Sequence, residues 1–291
     1  MAHLQATEEW SRLYRAKGGL TPQVLHARFV RHEFSRHVHD EYVIGLIESG
    51  IQRFDLGRAA LQTPAGSVFL INPGEPHTGG PGAATGYVYR TVYLSADLVA
   101  SMGAEVGTSA SELLCFATAV VADAELSALL GRYHRSLIVG ASALEQETFL
   151  LAAVRLVLLR YGAKAGRPPR ATGGSRLAMA ARSYLDANYA ENVSLAGLAE
   201  ACSSSPYHLA RTFTAHFGIP PHEYLTGRRI ARTKQLLDVG MNLAVVALEV
   251  GFADQSHLTR RFKELVGISP GRYARADRGA RSFKNAPSRQ R

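Results

Sequence analysis

Two stretches of this chain carry the same chemistry in the same order. His208-Leu209-Ala210-Arg211-Thr212-Phe213 is followed by Phe217-Gly218-Ile219-Pro220-Pro221 and Tyr224; 49 residues on, His257-Leu258-Thr259-Arg260-Arg261-Phe262 is followed by Val266-Gly267-Ile268-Ser269-Pro270 and Tyr273. The polar members are of the types that grip a nucleic-acid duplex. An arginine spans both acceptors of a guanine edge and a glutamine does the same for adenine. Ser, Thr and Lys hold phosphates, which position a protein without reading sequence. The candidates are Ser205, Tyr207, His208, Ala210, Arg211 and Thr214 in the first copy, and Gln255, Ser256, His257, Thr259, Arg260 and Lys263 in the second. A second constellation lies nearer the start: His37, His39 and Glu41, then His77, with Tyr89 beyond. Two histidines two apart on a strand point the same way, and a third from a neighbouring strand could complete a metal face; the alternatives are a small-molecule pocket using some of them or simply a hydrogen-bonded strand end.

The apolar residues between the first set say what carries it. Leu209 and Phe213 lie four apart, as do Leu258 and Phe262, so each pair is the buried stripe of a helix whose other face is polar. A shorter helix precedes each. Ser194 caps one over 195–201, a Ser203-Ser204-Ser205 turn follows, Pro206 opens the next and Gly218 ends it. In the second copy Asn242 caps 243–250, Gly251 turns the chain, Asp254 caps the following helix and Gly267 stops it. Each copy is thus a helix-turn-helix. Between them a helix over 221–238 turns Leu225, Ile230, Leu236 and Leu237 inward and Arg228, Arg229, Arg232 and Lys234 outward. Its ~27 Å makes a rigid spacer of the order of the ~34 Å between successive major grooves. For one helix, a solvated polar face would be the plainer reading. Two equivalent basic helices favour DNA, and the charge agrees: residues 171–291 hold 17 Lys and Arg against 9 Asp and Glu, a net of +8, whereas residues 1–170 are at +1.

The preceding half is built differently. Over 25–95, short apolar runs at 42–49, 51–56, 67–72 and 86–94 are separated by Gly50, Gly57, Gly66 and Pro73-Gly74, which indicates hairpins and an all-β barrel or sandwich. Tyr87, Tyr89 and Tyr93 share one face of the last run, as core or as the lining of a cavity. Arg53 and Arg90 read as surface ion-pair partners, with neutralisation of an anionic ligand as the alternative. Helical patterns run from about 109 to 161. One helix, over 144–161, is too apolar for a single buried face and reads as packing on the sheet or as a dimer seam.

Residues 176–275 resemble the tandem helix-turn-helix domain of the AraC/XylS family of bacterial transcription regulators. The resemblance rests on Leu198-Ala199-Glu200-Ala201-Cys202, Ser205 to Phe213, Gly218-Ile219-Pro220-Pro221, Arg229-Ile230, Leu236-Leu237, Val250 to Lys263 and Gly267 to Tyr273. Ala210 departs from the longer polar residue often found at its position, implying fewer base contacts from the first copy. His37-Val38-His39-Asp40-Glu41 and Pro73-Gly74-Glu75-Pro76-His77 resemble the two halves of the cupin pattern, which supplies the sensor domain of many such regulators. The cupin metal set adds a Glu four residues after the second His. Val43 stands there, so the expectation is an organic effector held by His37, His39, Glu41, His77 and Tyr89, with no metal and no cofactor.

The expected fold is α+β and multidomain, with an N-terminal cupin-like β-barrel, trailing helices and a C-terminal all-α tandem helix-turn-helix domain. The expected division is 1–161 for sensing and dimerisation, 162–174 as linker, 175–276 for DNA and 277–291 as a disordered basic tail. Met1 to Gly18 lacks a signal-peptide core, no apolar run is long enough to span a bilayer, and Cys115 and Cys202 fall in apolar helical contexts as buried thiols of a reducing cytoplasm. No catalytic motif occurs, so no catalytic residue is expected. The resemblance implies a ligand-responsive, sequence-specific regulator, an activator by expectation. Its partners would be double-stranded operator DNA, a small-molecule effector, RNA polymerase and a second copy of the chain. The rival reading is a metal-dependent cupin enzyme with a DNA-binding appendage.

Overall fold

The computed structural model describes residues 8–16, 20, 22–57, 59–105, 114–164 and 173–275. The start of the chain, most of the expected linker and the expected basic tail 277–291 lie outside the described residues. Strands β1 (Trp10–Arg15), β2 (Gln23–Phe29), β3 (Phe34–His37), β4 (Tyr42–Leu56), β5 (Ala59–Pro64), β6 (Val68–Ile71), β7 (His77–Pro81) and β8 (Tyr87–Leu94) precede helix α1 (Ala96–Glu105). Short strands β9 (Leu114–Phe116) and β10 (Val120–Val121) lead into α2 (Ala124–Ile138), α3 (Ala143–Tyr161) and β11 (Gly162–Lys164). The remainder is helical: α4 (Gly173–Ala187), α5 (Leu195–Ala201), α6 (Pro206–Phe217), α7 (Pro221–Asp238), α8 (Leu243–Glu249), α9 (Gln255–Val266) and α10 (Pro270–Arg275). Among the described residues no helix is long and apolar enough to cross a membrane.

The long strand β4 organises the sheet. Its first half pairs with β8 on one side and β6 on the other, and its second half pairs with β5 and β7. The change of partner falls at Gly50, whose φ is 75° and where a Cβ would lie 2.1 Å from the Gly86 carbonyl oxygen, so only glycine fits. One leaf runs β1-β2-β8-β4-β6-β10, and the other consists of β3, β7, the end of β4, and β5. The expected closed cupin-like barrel is therefore not formed. The sheet is open, since among the described residues β1 pairs only with β2 and β10 only with β6. The physical reason is that neither apolar face has to close on itself. Val24, Ile44, Leu70 and Val92 pack under α1, α2 and α3, while Leu25, Val43, Phe69 and Tyr89 on the opposite face join a cluster that includes Ile230, Val246, Leu258 and Phe262 of the C-terminal helices.

The helical pattern expected from residue 109 is also corrected. Val120 and Val121 extend the sheet beside β6, and Leu114–Phe116 pairs with β11, so Cys115 lies on a strand, not a helix. Short apolar runs at a sheet edge are taken by the ladder. Residues 162–164, expected as linker, form β11.

Asp123 ties α2 to α3. Its carboxylate accepts from the Leu126 amide at 3.0 Å as N-cap, from Arg160 at 2.8 Å and from the Tyr161 hydroxyl at 2.7 Å. Burial would raise this carboxyl, but those three donors outweigh it and hold it at about 2. Asp123→Ala should cost about 2–3 kcal/mol in urea unfolding at neutral pH, a cap plus charge-assisted bonds. A carboxyl depressed by folding stabilises above its unfolded pKa, so the gap between wild type and variant should shrink as pH falls from about 4 towards about 2. A gap that stays constant over that window would assign the loss to packing.

Candidate functional site

The two repeated segments fold as read. In α6, Leu209 and Phe213 are fully buried, and in α9 so are Leu258 and Phe262. The caps are in place: Ser205 accepts from the His208 amide at 3.3 Å, Asp254 from the His257 amide at 2.8 Å, and Gly218 and Gly267 end the helices in the left-handed region. Ser205, Tyr207, His208, Arg211 and Thr214 are exposed on one side of α6, and Gln255, Ser256, Arg260 and Lys263 are exposed on α9. Ala210, Thr259 and His257 are half-buried, and the His257 ring stands edge-on to Phe252 at 5.2 Å. The Ser205 hydroxyl is engaged as a cap, and Thr214 donates to the Ala210 carbonyl at 2.8 Å.

The helix between them differs from its sequence reading. Arg232 is exposed, but three other basic residues of α7 turn inward. Arg228 bonds Asp40 at 2.5 Å and pairs with Asp186 at 2.9 Å, Arg229 donates to the Tyr189 and Glu191 carbonyls at 2.7 and 2.9 Å, and Lys234 lies 3.6 Å from Glu41. Asp40 and Glu41 belong to the sheet half. Arg15 also pairs with Asp238, and Gln23 donates to the Tyr273 hydroxyl. The spacer is thus clamped to the sheet along its length. No local pattern could reveal this, because the partners on the sheet lie 188 to 223 residues away in sequence.

Between the sheet and α7 lies a cavity of about 130 Å³. His37, His39, Glu41, His77 and Tyr89 all line it, and so do Arg228, Ile230 and Lys234 of α7, which the sequence reading did not include. The histidines meet although no barrel closes, because β3 pairs with β7 and sets His37 opposite His77. His39 lies beyond the end of β3, in the loop before β4, and is not strand-mate to His37 as expected. The ring centroids of His37 and His39 are 4.3 and 4.8 Å from that of His77. Each Nδ1 sits on a backbone carbonyl: His37 on Ser35 at 2.7 Å, His39 on Glu41 at 2.8 Å and His77 on Glu75 at 2.9 Å. A carbonyl only accepts, so each Nδ1 carries the proton and each neutral ring keeps a lone pair on Nε2. Burial holds all three below the usual imidazole range, His37 at about 4. The Lys234 ammonium holds Glu41 below the carboxylate range despite its burial. Among the described residues no group of three or more His, Cys, Asp or Glu is arranged to hold a metal. Arg53 and Arg90 lie outside the cavity, paired with Glu33 and Glu48.

Two protein families match this chain. The family of AraC-like ligand binding domains matches residues 22–158, and a helix-turn-helix domain family matches 198–276. The HTH-type transcriptional regulator YbfI of Bacillus subtilis (strain 168) is 30% identical over 229 residues, covering 79% of this chain and 82% of that one. The HTH-type transcriptional activator AarP of Providencia stuartii is 32% identical over 97 residues, 33% of this chain and 72% of its own length. Among solved structures, ToxT from Vibrio cholerae O395 superposes over 94% of this chain and 99% of its own, with a TM-score of 0.53 and 14% identity, a likeness of fold. With paired helix-turn-helix units, a matching ligand-binding half and a relative aligned over most of both chains, the protein belongs to the AraC/XylS family of DNA-binding transcription regulators.

Proposed function

We propose that this regulator reads a two-part operator with α6 and α9 and responds to a small organic effector held in the cavity between the sheet and α7. The observation that carries the reading is the exposed polar face that each reading helix presents beside a fully buried Leu-Phe stripe. Arg211 and Arg260 occupy equivalent exposed positions and supply base readout. Gln255, Ser256 and Thr259, with Tyr207, His208 and Thr214, complete the contact surfaces, and Lys263 holds phosphate. Effector contact with α7 would bias the geometry of the two reading helices, because a ligand shifts only states to which it binds unequally. Activation through RNA polymerase is part of the proposal. So are the division of the chain at the expected linker, 162–174, and a homodimer joined along α3, where Leu144 and Leu159 are exposed.

Arg260→Ala should weaken binding at the specific operator by ~1–3 kcal/mol and relax preference at one or two base pairs. Lys263→Ala should weaken binding to all sequences alike. Mobility-shift titrations against operator and random duplexes separate the two, and equal losses on both duplexes for Arg260→Ala would remove it from the readout set.

A further inference from the structure

Arg228 and Lys234 of α7 reach the sheet, but the residue between them in role, Arg229, works inside the C-terminal helices. It donates from Nε to the Tyr189 carbonyl at 2.7 Å and from Nη2 to the Glu191 carbonyl at 2.9 Å. Both carbonyls belong to the loop between α4 and α5, in the first reading unit. That loop is itself held: the Asn188 amide and side chain both donate to the Tyr184 carbonyl, at 3.0 and 2.8 Å. The same guanidinium lies over the Phe252 ring, its carbon 5.7 Å from the centroid. Phe252 is buried in the turn between α8 and α9, and its ring meets His257 edge-on at 5.2 Å in the first turn of the second reading helix. One side chain therefore touches both units.

The units also meet backbone to backbone at this point. Gly251, with a φ of 83°, comes so close to the first unit's loop that a Cβ on it would lie 2.5 Å from the Ala190 carbonyl oxygen and 3.0 Å from Arg229 Nη2. Tyr189 packs against both apolar clusters, the one around Leu209 and Phe213 and the one around Leu258 and Phe262. A helix that merely joins two bodies at its ends fixes their distance and leaves their rotation about its axis open. A contact beside the helix fixes both.

We propose that Arg229 is a positioning residue for two-part DNA readout: by bridging the Tyr189 and Glu191 carbonyls to Phe252, it sets the rotation and spacing of α9 relative to α6. It thereby sets the number of base pairs required between the two segments that the protein reads. The proposal rests on the reading of α6 and α9 as DNA-reading helices. Arg229 is half-buried, and Nε and Nη2 are engaged on carbonyls, so it acts through the two units and not on the duplex. Hydrogen bonds from a charged donor are stronger than neutral ones, and the planar guanidinium spans two acceptors at once. A lysine ammonium is a point charge on a flexible stem and cannot reproduce that fork.

The test uses full-length protein and a duplex that the wild type selects from a random-sequence pool. The segments read by α6 and α9 are those whose base preference relaxes in Arg211→Ala and in Arg260→Ala. One base pair is then inserted or deleted between them, which shifts one segment by about 3.4 Å and turns it by about 35°. Wild type should lose at least about tenfold in affinity to either change. Arg229→Met, which keeps an apolar stem and removes the donors, should bind the selected duplex about tenfold more weakly, because the units are no longer pre-set. Its preference for the selected spacing should fall to about threefold or less. With one segment scrambled, wild type and Arg229→Met should bind within about twofold of each other, since a single unit needs no spacing. Arg229→Lys should show an intermediate spacing preference. Thermal melts show which variants fold, and Arg229→Lys decides the matter should Arg229→Met unfold. A folded variant that keeps the wild-type spacing preference overturns the proposal. So does Arg229→Met losing equally on intact and scrambled duplexes, the mark of a phosphate contact or of general support. A wild type indifferent to spacing would remove the two-part reading itself, and the proposal with it.

Discussion

Raising salt from about 50 to about 200 mM should weaken operator binding by the full-length protein by roughly 10³-fold, the loss expected for about six phosphate contacts. Lys and Arg that neutralise phosphates release condensed counterions, and added salt reverses that gain. The net of +8 over residues 171–291 sets the sign. The structure limits the size, because Arg228, Arg229 and Lys234 are spent on Asp40, Asp186, backbone carbonyls and Glu41. On the proposed reading as a homodimer, the grip then rests on exposed residues such as Arg211, Arg232, Arg260 and Lys263. The log–log slope of affinity against salt is the measurement. A nearly flat slope would contradict the assignment of α6 and α9 to DNA. Full-length protein is the right object, because the cluster around α9 continues into the sheet and a fragment starting near residue 171 would lack that half of its packing.

What could be read from sequence follows the range of the forces involved. Helix caps and left-handed glycines act over a few residues, so Ser194, Asn242, Asp254, Gly218 and Gly267 were identifiable one by one, whereas Ser205, read as a turn residue, proves to be the cap of α6. The Leu-Phe stripes repeat at helical spacing and survive as buried residues. The runs at 42–49, 67–72 and 86–94 correspond to β4, β6 and β8, the strands that pair centrally and alternate between two apolar faces. Strands β1, β3, β5 and β7 carry no comparable run: Ser11, Arg12, Arg36, Gln62 and Gly79 interrupt them, and ladder pairing makes them strands. Barrel closure was the wrong inference for a related reason. Alternation shows that a sheet has two faces, but not whether the second is covered by its own strands or by helices from the other end of the chain. The histidines line one cavity, yet their orientation came from carbonyls of Ser35, Glu41 and Glu75, and the α7 wall includes Arg228 and Lys234, which were read as outward-facing.

That shared packing separates two otherwise equivalent substitutions. Phe213 and Phe262 occupy the same position in the repeat and are both fully buried, so each Phe→Ala should cost about 3–5 kcal/mol in its own surroundings. Phe213 packs in a cluster of C-terminal helices, with Leu209, Leu198, Ile219 and the Tyr224 ring 5.6 Å away, which among the described residues the sheet half reaches at Val38. Its loss should loosen the first reading unit and abolish half of the operator footprint, while the sheet half keeps its unfolding midpoint. Phe262 packs against the Tyr273 ring at 5.4 Å in a cluster that continues through Phe29, Phe69 and Tyr89 of the sheet. Its loss should erase the second half of the footprint and also lower the midpoint of the sheet half, because one apolar core serves both. Amide hydrogen exchange on the two variants checks this element by element. Faster exchange in β2 and β8 should follow Phe262→Ala and be absent in Phe213→Ala. If both variants leave β2 and β8 equally protected, the sheet does not depend on α9, and effector signals would have to pass through the ion pairs of α7 alone.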